Sequence, residues 1–134
     1  MDELDRKILD ILEENARMPF VEIGKKLGVS EATIRNRVKN LVSSGQITKF
    51  TILTETRRGM KAIILVTVAP KVAVNKVARK IKEIKNVKEV YEISGECDIV
   101  CVVGADSTKE TNETVDAIRN TLGVLKTVTN MVLK

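Results

Sequence analysis

Histidine and tryptophan are absent from this chain of 134 residues, which has only three aromatic residues and two prolines. Without histidine, the chain lacks the side chain most often used as a general base near neutral pH. It has no glycine-rich phosphate loop and no nucleophile placed beside a base at short range. Its carboxylates are scattered among lysines. We therefore expect no enzymatic activity and no cofactor.

The two cysteines, Cys97 and Cys101, form no recognisable metal or disulfide motif. At this spacing in a strand they lie on one face about 13 Å apart, which is too far for a disulfide between them. Without histidine a zinc site is not expected, and small buried side chains are the simpler interpretation. No apolar run approaches the length of a membrane span. Because the acidic N-terminus also lacks a signal-peptide pattern, we expect a cytoplasmic protein.

Positive charge is unevenly distributed along the chain, whose formal net charge is +5. Residues 1–24 contain three basic and seven acidic side chains, whereas residues 25–49 contain six basic and one acidic. Lys and Arg neutralise phosphates in the sequence-independent part of DNA binding. The second segment therefore predicts a contact with nucleic acid.

Two short helical patterns joined by a glycine-containing turn fill this basic segment. The first begins after Pro19, ends before Gly28, and has an apolar face formed by Phe20, Ile23 and Leu27. The second opens on the N-cap residue Ser30, stops before Gly45, and has an apolar face formed by Ile34, Val38, Leu41 and Val42. An upstream helix ends near residue 15 and contributes Leu4, Ile8, Ile11 and Leu12. Three such helices share a small core, and the last two have the layout of a helix-turn-helix.

The polar face of the second helix of this pair is the candidate DNA-reading surface. It is centred on Asn36 and comprises Ser30, Ala32, Thr33, Arg35, Asn36, Arg37, Lys39 and Asn40. Asn pairs with adenine, Arg with guanine, and Thr contacts the thymine methyl group. Arg37 and Lys39 suit phosphates, which position a protein without specifying sequence. The competing interpretation is the solvated face of an ordinary amphipathic helix.

The second half of the chain changes to alternating periodicity. Strands are predicted at 62–68, 87–93, 99–103 and 126–133, and amphipathic helices at 74–84 and 108–122, the latter capped by Ser107. The order β-α-β-β-α-β is the ferredoxin-like arrangement, with helices on one face of the sheet and an open face that needs a partner or water. We expect an α+β protein with three parts: an N-terminal helix-turn-helix domain over 1–48, a linker over 49–61, and a ferredoxin-like domain over 62–134. Arg57 and Arg58 in the linker contact the DNA backbone or are solvated.

Several short motifs are specific as an ordered set. The first helix contains Leu4-Asp5 and Asn15-Ala16-Arg17, and the recognition helix ends with Arg37-Val38-Lys39-Asn40-Leu41 followed by Gly45-Gln46-Ile47. Gly95-Glu96-Cys97-Asp98 forms a G-x-x-D turn between the middle strands, and the last strand contains Val124, Thr127 and Thr129. In this order and spacing the motifs resemble those of the Lrp/AsnC (feast/famine) transcriptional regulators over essentially the whole chain. The linker is shorter than is usual in that family and lacks its Asp-Pro.

The resemblance implies that the helix-turn-helix domain is winged, that residues 49–61 form a linker strand and hinge, and that residues 62–134 form an effector-binding and oligomerisation domain. It also implies homodimers formed through the open sheet faces and paired linker strands, with dimers assembling into octamers. It also implies that an amino acid or related effector binds between dimers, at Gly95, Glu96, Asp98, Thr127 and Thr129. Backbone amides there would bind the carboxylate and Asp98 the ammonium group, and Glu96 favours a basic amino acid. For Gly95 and Asp98 the competing interpretation is an ordinary hairpin turn.

Three functions fit these expectations. The first is a sequence-specific regulator of amino-acid metabolism that binds double-stranded operator DNA and responds to an amino acid. The second is a low-specificity architectural DNA-binding protein. The third, a metabolite-sensing module that regulates an enzyme, gives no use to the basic segment at 25–49. Fold alone does not separate the three.

Overall fold

The computed structural model describes residues 1–54 and 59–134, so the predicted roles of Arg57 and Arg58 fall outside the described residues. The chain divides into two compact units, Met1–Leu53 and Thr54–Lys134. The division falls inside the predicted linker, residues 49–61. Residues 49–54 form neither helix nor strand within the chain, and no β-hairpin wing follows the recognition helix in the described part of the first unit. Pairing of linker strands between two subunits remains a prediction.

The first unit is built from three helices, α1 (Glu3–Glu14), α2 (Phe20–Leu27) and α3 (Glu31–Ser43). Their apolar faces meet in a core whose buried members are Ile8, Leu12, Ile23, Ile34, Val38 and Leu41. Val42 was expected on this face but is 47% exposed. It lies at the edge of the apolar face of α3, and a bundle of three short helices covers only the centre of that face.

The turn between α2 and α3 depends on two glycines. Gly28 ends α2 in the left-handed conformation, with φ of 70°, which glycine adopts without steric cost. Gly24 is buried, and a Cβ atom there would lie 2.6 Å from the carbonyl oxygen of Val29. The Val29 N–H donates to the carbonyl oxygen of Gly24 at 3.0 Å. Close backbone packing therefore holds the turn against α2 and sets the start of α3.

The second unit has the predicted β-α-β-β-α-β order: β1 (Met60–Val68), α4 (Val74–Lys82), β2 (Val87–Glu92), β3 (Ile99–Ala105), α5 (Thr108–Arg119) and β4 (Val124–Met131). The strand order is β2-β3-β1-β4, and all neighbouring strands are antiparallel. The ferredoxin-like prediction is confirmed. Ser107 caps α5 as expected, since its hydroxyl accepts from the Glu110 N–H at 3.2 Å.

The end of α5 differs from the prediction. The helix stops at Arg119, and Leu122, expected on its apolar face, is 80% exposed. Gly123 has a φ of 96° and reverses the chain, so β4 starts at Val124 rather than at residue 126. The helix was predicted to continue to residue 122 because Leu122 has helical spacing from Ile118, but residues 120–123 form the turn.

The helices cover one face of the sheet. That face holds a buried core of Ala62, Ile64, Val66 and Val68 from β1 together with Ile99, Cys101 and Val103 from β3. Burial raises the pKa of the Cys101 thiol to about 11. The opposite face carries half-buried apolar residues of the two central strands, Ile63, Leu65, Val100 and Val102. No helix or strand of the described part of the second unit covers this open face.

Candidate DNA-reading helix and effector turn

Helix α3 begins with a tightly bonded first turn. The Ser30 hydroxyl accepts from the Thr33 N–H at 3.1 Å, and the two hydroxyl oxygens are 2.9 Å apart. These bonds satisfy donors that the start of a helix leaves free. Ser30 and Thr33 therefore serve first to fix the N-terminus of α3, the part of a recognition helix that usually approaches base edges.

The centre of the predicted reading face is exposed. Ala32, Asn36, Lys39 and Asn40 are all exposed, on the side of α3 opposite its buried residues. In the part of the chain that the structure describes, the side chains of Asn36 and Lys39 form no hydrogen bond or ion pair. Their donors and acceptors are available to an external partner, as recognition of a base edge or a phosphate requires.

Arg35 is held along the surface of the unit. Its guanidinium pairs with Glu31 one turn earlier and lies 5.5 Å from the centroid of the Phe20 ring. Both contacts are exposed, and exposed pairs contribute little stability. They nevertheless give the guanidinium a preferred position between α2 and α3. A base or a phosphate could replace Glu31 as its partner.

Arg37 points to α1 rather than away from the unit. Its guanidinium contacts Asp2 and, at 3.2 Å, Asp5. Asp2 and Asp5 also form a reciprocal capping box at the start of α1. The hydrogen bond from the Asp5 N–H, together with Arg37, lowers the pKa of Asp2 from its ordinary 3.8 to about 2, and the Asp2 contact raises the pKa of Arg37. Arg37 thus joins α3 to α1 here, and its phosphate contact remains a prediction.

Sequence reasoning did not identify Asp2 and Asp5 as partners of the recognition helix. The available signal was the Asp-x-x-Asp spacing before the first apolar run, which is typical of a capped helix start. The contact to Arg37 spans more than thirty positions of the sequence and follows only from the packing of α1 on α3.

The G-x-x-D turn combines an open loop with a firmly bonded aspartate. Gly95 has a φ of 140°, with free space where a Cβ atom would be, and Glu96 is exposed. Asp98 accepts from the Val68 N–H through Oδ2 at 2.7 Å and donates its own N–H to the Val66 carbonyl at 2.9 Å. Asp98 therefore fastens the turn to the end of β1. Its Oδ1 makes no hydrogen bond within the described residues.

The sheet brings the turn and part of β4 to the same end. Val66 of β1 pairs with Ile99 on one side and with Thr127 on the other. Two interstrand spacings, about 9.6 Å, therefore separate the start of β3 from Thr127. Thr129 pairs with Ile64 and lies about 7 Å farther from this end. Gly95, Glu96, Asp98 and Thr127 thus cluster at one end of the sheet, and Thr129 lies nearer its middle.

The described residues offer no metal site and no membrane-crossing helix. Nowhere in them do three or more Cys, Asp or Glu side chains come together as a metal site would require. None of the described helices combines the length and apolar character of a membrane-crossing segment. The features that remain are the exposed face of α3 and the turn at the end of the sheet. A helix-turn-helix unit followed by a ferredoxin-like unit is the layout expected of a DNA-binding protein with a second domain.

Two family models match the chain. Residues 1–42 match the AsnC-type helix-turn-helix domain, and residues 61–134 match the Lrp/AsnC ligand binding domain. The chain belongs to the Lrp/AsnC family of transcriptional regulators. It is therefore a regulator with a ligand-binding domain and not an enzyme.

Individual relatives agree with this placement. The HTH-type transcriptional regulator LysM of Sulfurisphaera tokodaii is 40% identical over 134 residues, which is 100% of this chain and 96% of the relative. The crystal structure of MtbAldR has a TM-score of 0.86 at 26% identity, covering 100% of this chain and 95% of that one. A transcriptional regulator of Neisseria meningitidis, solved as a complex with L-Met, has a TM-score of 0.72 at 24% identity, covering 100% and 90%.

Proposed function

We propose that this protein is a cytoplasmic, sequence-specific regulator of amino-acid metabolism that reads an operator through α3 and responds to an amino acid. The observation that carries the proposal is the exposed centre of the polar face of α3, where the side chains of Asn36 and Lys39 have no partner within the described residues. Asn36 and Arg35 would read base edges, and Lys39 would bind a phosphate. Ser30, Ala32, Thr33 and Asn40 would line the same contact. Arg37 would join it only by leaving Asp2 and Asp5.

The G-x-x-D turn supports an amino-acid effector. A free amino acid offers one carboxylate and one ammonium group. The backbone amides at Gly95 would bind the carboxylate, and the free Oδ1 of Asp98 the ammonium group. Exposed Glu96 adds a second carboxylate and favours a basic side chain, with Thr127 and Thr129 contributing from β4. The complex of the Neisseria regulator with L-Met supports an amino-acid ligand for this fold.

The open face of the sheet supports a homodimer. Exposed Tyr91 and Val128 extend its half-buried apolar surface to both edge strands, and a surface of this kind is usually covered by a partner. Two copies related by a two-fold axis would present two α3 helices to half-sites about 10–10.5 bp apart, or a multiple of this. Octamers would follow if dimers meet near the G-x-x-D turn, where a ligand would couple effector binding to assembly.

Selection of bound fragments from genomic DNA, with and without each amino acid, tests the proposal directly. We expect an enriched operator whose affinity changes with one amino acid. Asn36→Ala should then cost about 1–3 kcal/mol on that operator and relax base preference, whereas Lys39→Ala should weaken all DNA alike. Equal affinity for the selected and random fragments would reject sequence-specific regulation and favour the architectural alternative.

A further inference from the structure

The most basic stretch of the chain lies outside the helix-turn-helix. Residues 71–88 contain seven basic side chains and one acidic side chain, Glu83. Their net charge of +6 exceeds the +5 of the whole chain, so the rest of the protein is slightly acidic in sum. Most of this charge is on or next to α4, in the ligand-binding domain. Neither the effector turn nor the reading helix uses it.

Helix α4 presents these cations on its outer face. Val77, Ala78 and Ile81 bury the inner face against the sheet. Lys76, Arg79 and Lys80 are spaced i, i+3 and i+4, which puts them side by side on the exposed surface. In the described part of the chain, no acidic side chain forms an ion pair with a cation of α4. Arg35 and Arg37 of α3, by contrast, are both paired.

The other helix on the same face of the sheet lacks this character. Helix α5 carries two basic residues, Lys109 and Arg119, against the acidic residues Glu110, Glu113 and Asp116. Arg119 is also paired with Asp116 at 3.5 Å. The excess of unpaired cations is therefore a property of α4 and not of the outer helix layer in general.

We propose that the outer face of α4, with Lys76, Arg79 and Lys80 at its centre, is a second DNA-binding surface that contacts the phosphate backbone without reading sequence. Duplex DNA carries one negative charge per about 1.7 Å of its axis, and the three cations are spread over about 6 Å of helix α4. The helix-turn-helix domain also makes DNA the expected polyanionic partner of this protein. The inference extends the proposed operator reading and rests only on DNA binding, not on operator specificity.

The alternative explanation is local. Arg79, Lys80 and Lys82 lie in the last turn of α4, where cations stabilise the negative end of the helix dipole. That explanation predicts a small loss of helix stability when the cations are removed and no change in DNA affinity. It also gives no role to Lys76, which lies in the first half of the helix.

The test compares two double variants of the full-length chain. Lys76→Gln/Arg79→Gln and Lys109→Gln/Arg119→Gln each remove one Lys and one Arg, from α4 and α5 respectively. Binding of a mixed-sequence duplex of about 60 bp, near six helical turns, is measured over a series of salt concentrations. For each subunit that contacts the duplex, losing two phosphate contacts should reduce the slope of log K against log salt by about 1.8 and weaken binding about 60-fold at 0.1 M salt. The α5 variant should behave like the unchanged protein.

A second readout identifies the surface directly. Acetylation of lysines followed by mass spectrometry should show protection of Lys76 and Lys80 by the same duplex, with Lys109 equally reactive with and without DNA. Asn36→Ala serves as the control for operator reading: it should change the preference for selected over mixed DNA, whereas the α4 variant should weaken both alike. These separate outcomes distinguish a failure of this inference from a failure of the proposed function.

Three results would overturn the proposal. Equal changes in salt slope for the α4 and α5 variants would mean that only the overall charge matters. An unchanged slope for the α4 variant, with no protection of Lys76, would mean that DNA does not touch α4. Loss of binding to phosphatidylglycerol vesicles without loss of DNA binding would make the face a membrane contact instead. Thermal unfolding of each variant checks that both remain folded.

Discussion

Asp98 has both a structural contact and a proposed effector contact, and two substitutions separate them. Its Oδ2 accepts from the Val68 N–H at 2.7 Å in a half-buried position. Asp98→Ala removes this acceptor and the candidate partner of an effector ammonium group together. Asp98→Asn leaves an oxygen that can accept from Val68 and removes only the negative charge.

The expected loss of stability follows from the strength of the hydrogen bond between the Val68 N–H and Asp98. A hydrogen bond to a charged acceptor is worth about 1.5–3 kcal/mol, and a neutral one about 1 kcal/mol. In a unit of this size, 1 kcal/mol corresponds to about 4–8 °C in Tm. We therefore expect Asp98→Ala to lower the Tm of the second unit by about 6–24 °C, and Asp98→Asn to lower it by about half as much. Both variants should lose the response to the amino acid.

Calorimetry at fixed protein concentration measures both effects, first by thermal unfolding and then by titration with each amino acid. Glu96→Gln is the matched control, since Glu96 is an exposed carboxylate of the same turn with no bond inside the described chain. It should leave Tm unchanged. An Asp98→Ala protein with the same Tm as the unchanged chain would refute the structural contact. An Asp98→Asn protein that still responds fully to the amino acid would refute the effector contact.

Three further outcomes are expected. Gly24→Ala should destabilise the first unit by about 1–3 kcal/mol in chemical denaturation, because its Cβ would lie 2.6 Å from the Val29 carbonyl oxygen; unchanged stability would show that the turn relaxes freely. In the folded protein a thiol reagent at about pH 8 should modify Cys97 and spare Cys101, whose pKa is about 11, until denaturant is added. Asp2→Asn should flatten the acid dependence of Tm for the first unit. The lowered pKa of Asp2 gives stabilisation that is complete above pH 3.8 and is lost as pH falls through about 2, so an identical acid profile would contradict its role.

Local signals were sufficient for most of the architecture. Ser30 and Ser107 both cap helices where the sequence predicted them, because an N-cap is a contact between residues three positions apart. The β-α-β-β-α-β order along the chain followed from the change between alternating and helical periodicity. The order of the strands within the sheet was not predicted. Among the predicted core residues, the errors lie at Val42 and Leu122. Periodicity marks both as apolar but does not show how far the neighbouring helix or turn extends over them.

The candidate site was harder to predict because its contacts join distant segments. The ion pairs of Arg37 and the Val68–Asp98 bond each span thirty or more positions. Residue type indicated Arg37 as a phosphate ligand, and the family resemblance indicated Asp98 as an ammonium ligand. Packing also gives each of them a partner inside the protein, and no pattern along the sequence carries that information.

The bonds at the end of β1 have a mechanical consequence. The Val66 carbonyl and the Val68 N–H are both held by Asp98, and the next residue, Ala69, donates its N–H to the Gly123 carbonyl at 2.8 Å. The G-x-x-D turn and the loop that leads into β4 are thus tied to one strand end from opposite sides. A displacement of the turn would pull on the end of β1 and, through β1, on the Gly123 loop that precedes β4. Movement of the turn would therefore travel across the sheet along stiff backbone bonds, without repacking of the core beneath the helices.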